Sequence, residues 1–167
     1  MKAGDKAFEL IKKWEGCKLK AYLCPAGKWT IGYGATGEGI ESGATWTQEQ
    51  ADKDLATRVA GLAKGVSKGL VGPTTQGQFD AFISLSYNIG LYALLTSTAF
   101  KQHNKGLFKD AAIAITWWNK ITVNGVKVYS EGLNRRRFDE KSVYETPEKP
   151  VEVVVSEVVS DEVVKAK

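Results

Sequence analysis

Residues 15–34 read EGCKLKAYLCPAGKWTIGYG. In the first half, Leu19, Ala21 and Leu23 alternate with polar residues, a period of two that is typical of a half-buried strand. Residues 25–28 form a turn cluster, and residues 29–34 are rich in aromatic and β-branched residues, as in a returning strand. We therefore predict a β-hairpin with a glycine-rich end.

A short helix is predicted immediately before this hairpin. Apolar residues recur at helical spacing from residue 5 to Trp14, and Asp5 is a suitable N-cap. Gly16 is a typical residue for the C-terminal end of a helix. Glu15 is therefore expected in the last turn of this helix, directly before the first strand.

The rest of the chain is mainly helical in pattern. Thr47 and Gln50 fit a capping box, and Thr75 is the expected cap of the next helix. Asn124 and Gly125 suit a type I′ turn between two short β-branched runs, which predicts a second hairpin. The later helices are predicted at about 47–69, 75–90, 97–106, 108–118 and 133–143. The pattern indicates an α+β fold with one small N-terminal sheet and five or six helices.

Charge is distributed unevenly along the 167 residues. The whole chain has a net charge of +4, whereas residues 1–144 hold 20 basic and 13 acidic residues, a net charge of +7. Residues 145–167 hold six acids and eight valines. We predict a basic domain over 1–144 that favours an anionic partner, followed by a flexible tail over 145–167. Pairing of the tail with the body or another chain is the alternative, because its valines at 151, 154, 155, 158 and 159 have helical spacing.

Composition excludes several kinds of chemistry. A single histidine, His103, excludes a His-rich zinc site, and two cysteines exclude a disulfide scaffold or a four-cysteine metal site. The chain has no phosphate-binding loop and no dinucleotide fingerprint. We expect no metal and no cofactor. No apolar run approaches the ~20 residues of a membrane span, and the N-terminal residues lack an apolar signal segment. We therefore expect synthesis in the cytoplasm and no stable membrane insertion.

Three polar residues lie on the predicted helix end and hairpin. Glu15 is expected at the negative end of the helix dipole, next to the apolar indole of Trp14. Each of these surroundings disfavours the ionised form of its carboxyl group. A carboxylic acid that keeps its proton near neutral pH can protonate a leaving oxygen in glycoside hydrolysis. Cys24 is expected at the hairpin tip, with Thr30 facing it across the turn. The alternative is a surface glutamate, an inert cysteine and an ordinary strand threonine.

The spacing of these three residues resembles the active-site signature of the bacteriophage lysozymes, the endolysins of glycoside hydrolase family 24. That signature is Glu, eight residues, Asp or Cys, five residues, and Thr, and Glu15, Cys24 and Thr30 have this spacing. The flanking residues 21–22 and 29–34 are also similar to the family. Other segments that resemble it are 43–51, 80–90, 97–98 and 132–137, so the resemblance covers residues 5–144.

The resemblance implies a lysozyme-like fold, with a small N-terminal hairpin lobe, a mostly α-helical lobe and the active-site cleft between them. It implies inverting hydrolysis of the β-1,4 bond between N-acetylmuramic acid and N-acetylglucosamine in bacterial peptidoglycan. Glu15 would be the general acid, Cys24 the second catalytic residue, usually Asp, and Thr30 the residue that holds the attacking water. Residues that match positions near the family's cleft, and so are expected to bind substrate, are Tyr22, Gly34, Tyr87, Asn88 and Ser97.

The resemblance also implies how such an enzyme is used. An endolysin of this type is expected to be a monomer that accumulates in the host cytoplasm. It would reach the cell wall, for host lysis, once a holin has permeabilised the membrane. The arginine run at 135–137 is expected either to attract anionic wall peptides or to form a solvated helix face.

The cysteines leave further possibilities open. For Cys24 to act as a thiolate at neutral pH its pKa must be lowered, and Lys18, Lys20 and Lys28 are the expected cause. A disulfide between Cys17 and Cys24 would block the catalytic thiol, but thiols stay reduced in the cytoplasm.

Two other functions are compatible with the residues. Cys24 or Cys17 with His103 would suit a peptidase or amidase that cleaves the peptides of the wall. The basic body, the arginine run and the five tryptophans would suit a nucleic-acid-binding module. No nucleic-acid reader motif is present, so we expect no nucleic-acid partner.

Overall fold

A computed structural model describes residues 1–148, and most of the predicted tail, residues 149–167, lies outside the described residues. The described part contains seven α-helices and five β-strands. In chain order they are α1 (Asp5–Glu15), β1 (Lys18–Leu23), β2 (Trp29–Gly32), β3 (Ala35–Thr36), α2 (Gln48–Gly69), α3 (Gln76–Ile89), α4 (Leu91–Thr96), α5 (Thr98–Asn104), α6 (Phe108–Ile115), β4 (Lys120–Val123), β5 (Val126–Tyr129) and α7 (Glu131–Tyr144).

The first three strands form a small antiparallel sheet in the order β1-β2-β3, which confirms the predicted hairpin. Tyr22 pairs with Thr30 across β1 and β2, and the register shifts between Lys18 and Tyr22. Ala21, Ile31 and Ala35 form the small buried core of this lobe. The alternation of side chains along each strand sends these three residues to one face.

The helical lobe is built around α3. Residues 77–86 of this helix are all buried, and it packs against α1, α2 and α7. Thr75 forms the capping box that starts α3, and Thr47 forms the one that starts α2, both as predicted. Phe79, Phe82, Ile83 and Leu85 of α3 all belong to the main core, so α3 is the central element of the lobe.

The two lobes meet where α2 begins. Trp46, the residue before the Thr47 cap, lies against Gly32 at the end of β2, and a Cβ on Gly32 would be 2.9 Å from the indole ring. Gly32 also has a φ of +61°, so both space and backbone conformation favour glycine here. This close approach fixes the end of β2 against the start of α2.

Several details differ from the sequence prediction. Gly4, and not Asp5, occupies the N-cap of α1, because the Asp5 backbone is already helical. A short helix, α4, lies between the two helices predicted at 75–90 and 97–106. The second hairpin is present, with Asn124 and Gly125 at positive φ in its turn. Within residues 1–148, no helix combines the length and the apolarity needed to cross a membrane.

Candidate active site

The Glu15 carboxylate lies at the junction of the two lobes. Gly16, with a φ of +65°, ends α1 immediately after it. One oxygen, Oε1, accepts a hydrogen bond from Arg136 Nη1 of α7 at 2.6 Å. The other, Oε2, faces Gly34 just beyond β2, where a Cβ would lie 3.6 Å away. The predicted general acid and the predicted cleft residue Gly34 are therefore neighbours.

Arg136 belongs to a buried network of charges on α7. Its Nε donates to Glu140 Oε1 at 3.2 Å, and Arg137 Nε lies 2.7 Å from Glu140 Oε2. Ser84 donates to the same glutamate at 2.7 Å. Buried charges need such partners, because each one alone would lose its hydration. The network therefore fixes the cation that holds Glu15.

The expectation for the arginine run at 135–137 is wrong for two of its three members. Arg136 and Arg137 are 4% and 0% exposed, so neither can attract wall peptides nor form a solvated face. Arg135 alone is exposed, and it pairs with Glu131 at 3.0 Å. The helical period separates the three neighbours, turning one to solvent and two toward the core.

The hairpin carries the other two predicted catalytic residues. Cys24 is the first residue of the turn. Its carbonyl oxygen accepts a hydrogen bond from Gly27 N at 2.8 Å. Thr30 is buried on β2, and its hydroxyl donates to the Lys28 carbonyl at 3.0 Å. The Cys24 thiol is partly exposed and free. The structure thus places both groups at the same end of the β1–β2 hairpin.

The surroundings of Cys24 favour its thiolate. Hydrogen bonding from the backbone of Lys28 lowers the pKa of the thiol, and the backbone of Ala26 and the Lys28 charge act in the same direction. The predicted contribution of Lys28 is therefore present, but mainly through its backbone. Lys18 instead places its ammonium 4.8 Å from the centre of the Tyr22 ring.

Tyr87 and Asn88 lie at the C-terminal end of α3, close to this junction. The Tyr87 hydroxyl donates to the Tyr33 carbonyl at 2.6 Å, and its ring is covered by the Arg58 guanidinium at 4.8 Å. Burial raises the pKa of Tyr87. Asn88 is exposed, and its Oδ1 accepts from Arg137 at 3.0 Å. Tyr87 is thus tied to the segment that leads to Gly34, and Asn88 to the arginine network.

A cleft of about 500 Å³ separates the sheet lobe from the start of α2. It begins at Gly34, next to Glu15 Oε2. Polar groups on opposite walls, including Glu38 and Arg58, line it, together with the indole of Trp46. Two arginines take positions at the site that the sequence did not predict. Arg58 lines the cleft, and Arg136, which was expected at the surface, pairs with Glu15.

Ser97 lies in a different place. It is buried, its hydroxyl donates to the Leu94 carbonyl at 2.6 Å, and it caps α5 by accepting from Phe100 N. It borders a second cleft, of about 530 Å³, which Trp117, Trp118 and Lys127 also line. This second cleft shares no lining residue with the one at Gly34.

The only histidine has no free nitrogen for a cysteine. His103 is 2% exposed, with Nδ1 2.6 Å from the Tyr144 hydroxyl and Nε2 2.9 Å from the Thr74 hydroxyl. Burial lowers its pKa to about 4. Cys17, also a free thiol, lies 3.9 Å from the Gln48 amide nitrogen. This arrangement contradicts the peptidase or amidase alternative.

Among residues 1–148, no three His, Cys, Asp or Glu side chains are grouped to hold a metal ion.

Comparison with known proteins identifies the class to which this fold and site belong. The family model described as "Phage lysozyme" matches residues 12–140. The match includes Glu15, Cys24, Thr30 and the arginine network of α7. The chain belongs to the phage lysozyme family, and its fold is the lysozyme-like α+β fold expected from the resemblance.

Individual relatives agree with this assignment. An endolysin of Acyrthosiphon pisum secondary endosymbiont phage 1 is 40% identical over 146 residues, which cover 87% of this chain and 99% of that protein. An endolysin of Bacillus phage B103 is 40% identical over 89% of this chain, which spans 56% of that longer protein.

Solved structures show the same likeness. An endolysin from Escherichia coli O157:H7 phage FAHEc1 superposes with a TM-score of 0.83 and 42% identity, covering 90% of this chain and 98% of that one. The muramidase domain of SpmX from Asticaccaulis excentricus gives a TM-score of 0.81 and 37% identity, with 87% and 99% coverage.

Proposed function

We propose that this chain is an endolysin-type muramidase, which hydrolyses the β-1,4 bond between N-acetylmuramic acid and N-acetylglucosamine in peptidoglycan for host lysis. One observation carries the proposal: the Glu15 carboxylate lies between Arg136 of the helical lobe and Gly34, which lines the cleft next to the sheet lobe. Relatives named endolysin and muramidase support it.

The two oxygens of Glu15 would have different roles. Arg136 holds Oε1, whereas Oε2 lies beside Gly34, which lines the cleft. Oε2 is therefore the oxygen that donates a proton to the glycosidic oxygen as the bond to the muramic acid anomeric carbon breaks. Protonation gives a neutral leaving hydroxyl, which is the usual contribution of a general acid in glycoside hydrolysis.

Cys24 and Thr30 would act on the attacking water. Thr30 donates its own proton to the Lys28 carbonyl, so its oxygen is left to accept from a water molecule. The water attacks the anomeric carbon on the face opposite to the leaving group, and its proton passes to the Cys24 thiolate. Attack from the opposite face inverts the anomeric configuration. The lowered pKa of Cys24 supports the thiolate role.

Tyr22, Gly34, Tyr87, Asn88 and Ser97 are proposed to bind the glycan. Of these, Gly34 lies in the cleft next to Glu15, and Tyr87 is tied to the segment that leads to Gly34. Cytoplasmic synthesis, a monomeric state and dependence on a holin remain part of this proposal. The basic charge of residues 1–144 suits the anionic cell wall.

Digestion of purified peptidoglycan tests the function directly. The wild-type chain should release fragments with N-acetylmuramic acid reducing ends, identified by mass spectrometry, and Glu15→Gln should release at least ~10²-fold less. Glu9→Gln is the matched control, because Glu9 lies on the same helix but is exposed and pairs only with Lys6. It should retain full activity.

Other products would identify other chemistries. Anhydro ends would indicate a lytic transglycosylase. New amino termini on intact glycans would indicate a peptidase or amidase and would overturn the proposal.

A further inference from the structure

An apolar groove lies along the solvent side of α2. Ala56 and Ala60 are exposed on successive turns of the helix, and the N-terminal segment contributes Ala3 and Phe8 to the opposite wall. The groove has a volume of about 560 Å³ and shares no lining residue with the cleft at Gly34. Exposed apolar surface of this kind costs free energy in water, which a partner would recover.

Three exposed lysines border the groove: Lys2, Lys64 and Lys68. Among residues 1–148, no acidic side chain lines it. Within residues 1–148, none of these three ammonium groups has a carboxylate within 4.0 Å. The groove has an apolar base and is bordered by these lysines. It therefore suits a segment that combines apolar and acidic residues.

The end of the described chain is connected to this groove through two neighbouring residues of α3. The Glu148 carboxylate accepts a hydrogen bond from Gly77 N at the start of α3, at 3.1 Å. The preceding residue of that helix, Gln76, donates to the Lys2 carbonyl at 3.0 Å. The last described residue and the groove-lining Lys2 are thus attached to neighbouring residues of α3. Three further residues extend the chain by up to ~10 Å from Glu148, and Glu148 is held at the helix start that also holds Lys2.

Residues 151–162 read VEVVVSEVVSDE. This segment has six valines and four acidic residues, so it combines the apolar and the negatively charged side chains that the groove would bind. We propose that residues 151–162 dock in the α2 groove of the same chain. The valines bury against Ala56, Ala60 and Phe8, and the carboxylates pair with the bordering lysines. The acidic tail then neutralises one basic face of the catalytic domain.

Another cleft, between α1 and α7, lies near the end of the described chain and fits this segment less well. It has a volume of about 350 Å³ and includes Thr146. Its lysines already have partners, since Lys6 pairs with Glu9 and Lys13 with Asp139. These acids would repel the carboxylates of the tail, so charge favours the groove on α2.

Zero-length cross-linking of the full chain tests the docking. A carbodiimide activates a carboxylate, and a lysine amine within contact distance displaces the urea to form an amide bond. An equimolar mixture of ¹⁴N- and ¹⁵N-labelled chains separates links within one chain from links between two. We expect links from Glu152, Glu157 or Asp161 to Lys2, Lys64 or Lys68. They should exceed links to Lys120 and Lys127 on the second hairpin by about tenfold, because docking raises the local concentration.

Charge exchange provides the matched variants. Lys64→Glu with Lys68→Glu should reduce the links to Lys2, which keeps its amine, about tenfold, whereas Lys120→Glu with Lys127→Glu should leave the links to Lys2 unchanged. Adding Glu157→Lys to the first pair should restore a link between positions 64 and 157. Val154→Ser with Val155→Ser should weaken all groove links if the apolar floor contributes.

Three results would overturn the proposal. Equal link yields to all exposed lysines would mean that the tail does not dock. Links mainly to Lys6 and Lys13 would place it in the other cleft. Links that join ¹⁴N to ¹⁵N chains would make the occupant a second copy.

Discussion

Oε1 of Glu15 and Nη1 of Arg136 lie 2.6 Å apart, although 121 positions of sequence separate the two residues. The arginine side chain is 5% exposed, and the same guanidinium contacts Glu140 and the Ser84 carbonyl. The position of the proposed general acid at the end of α1 is therefore set by a buried cation on α7. The stability of the helical lobe and the geometry of the site depend on one another.

Replacement of this cation should affect both properties. Arg136→Gln removes one of the two cations of Glu140 inside the core and should reduce the free energy of unfolding by about 3 kcal/mol. It also frees Glu15 from its fixed position and should lower kcat by about 10²-fold. Urea denaturation and peptidoglycan turnover measure the two effects.

Arg135→Gln is the control for this substitution. Arg135 forms its pair with Glu131 in solvent, so its loss should change stability by less than about 1 kcal/mol. Equal destabilisation by the two variants would contradict the role given to the buried network.

The buried histidine should make stability depend on pH. Burial lowers the pKa of His103 to about 4 in the folded state, from 6.5 for an unperturbed histidine. The unfolded chain therefore binds the proton first as the pH falls. The contribution of neutral His103 is complete above pH ~6.5 and decreases toward pH ~4, by up to about 3 kcal/mol in total.

Urea denaturation between pH 4 and 7 measures this decrease. Because His103 is the only histidine in the chain, the difference between wild type and His103→Gln isolates its titration. The variant should be less stable at pH 7 and should lose this part of the slope. An unchanged slope would contradict the proton linkage.

Cys24 should determine the rise of activity with pH. Its lowered pKa favours the thiolate, so activity should rise as the thiol ionises below its ordinary value of ~8.5. Cys24→Asp should move this rise toward pH ~4, and Cys24→Ser should remove it with a loss of about 10²-fold or more. Cys17→Ser is the control and should keep the wild-type profile. The same rise in Cys24→Ser would assign it to another group.

A methyl group at Gly34 should affect the surroundings of Glu15 as well as the backbone conformation of the turn. Gly34 and Gly39 have φ values of +87° and +78°, so alanine at either position should cost about 1–2 kcal/mol of stability. A Cβ at Gly34 meets Glu15 Oε2 at 3.6 Å, whereas one at Gly39 meets nothing within 4 Å. Gly34→Ala should therefore lower kcat/KM about tenfold further than Gly39→Ala. Equal activities would show that Gly34 serves the turn alone.

The local elements could be predicted because they depend on neighbours in sequence. The period of two over residues 19–23, the capping residues Thr47 and Thr75, and the Asn124–Gly125 turn each specify a structure within a few positions. The one-residue shift of the N-cap from Asp5 to Gly4, and the short helix α4, were not predictable in this way. Their ends depend on contacts with other elements, such as the bond from Gly4 N to Asp80 at 2.8 Å.

Local sequence patterns predict that Glu15 ends a helix and that Cys24 and Thr30 lie on the hairpin that follows, because these are short-range consequences of periodicity, glycine and turn residues. The groups that surround these three residues come from distant parts of the chain and depend on how the helices pack. Packing buries Arg136 and Arg137, which were expected at the surface as members of a charged run. It also encloses His103 between Thr74 and Tyr144. Burial and long-range pairing arise when separate helices pack, and no local pattern contains that information.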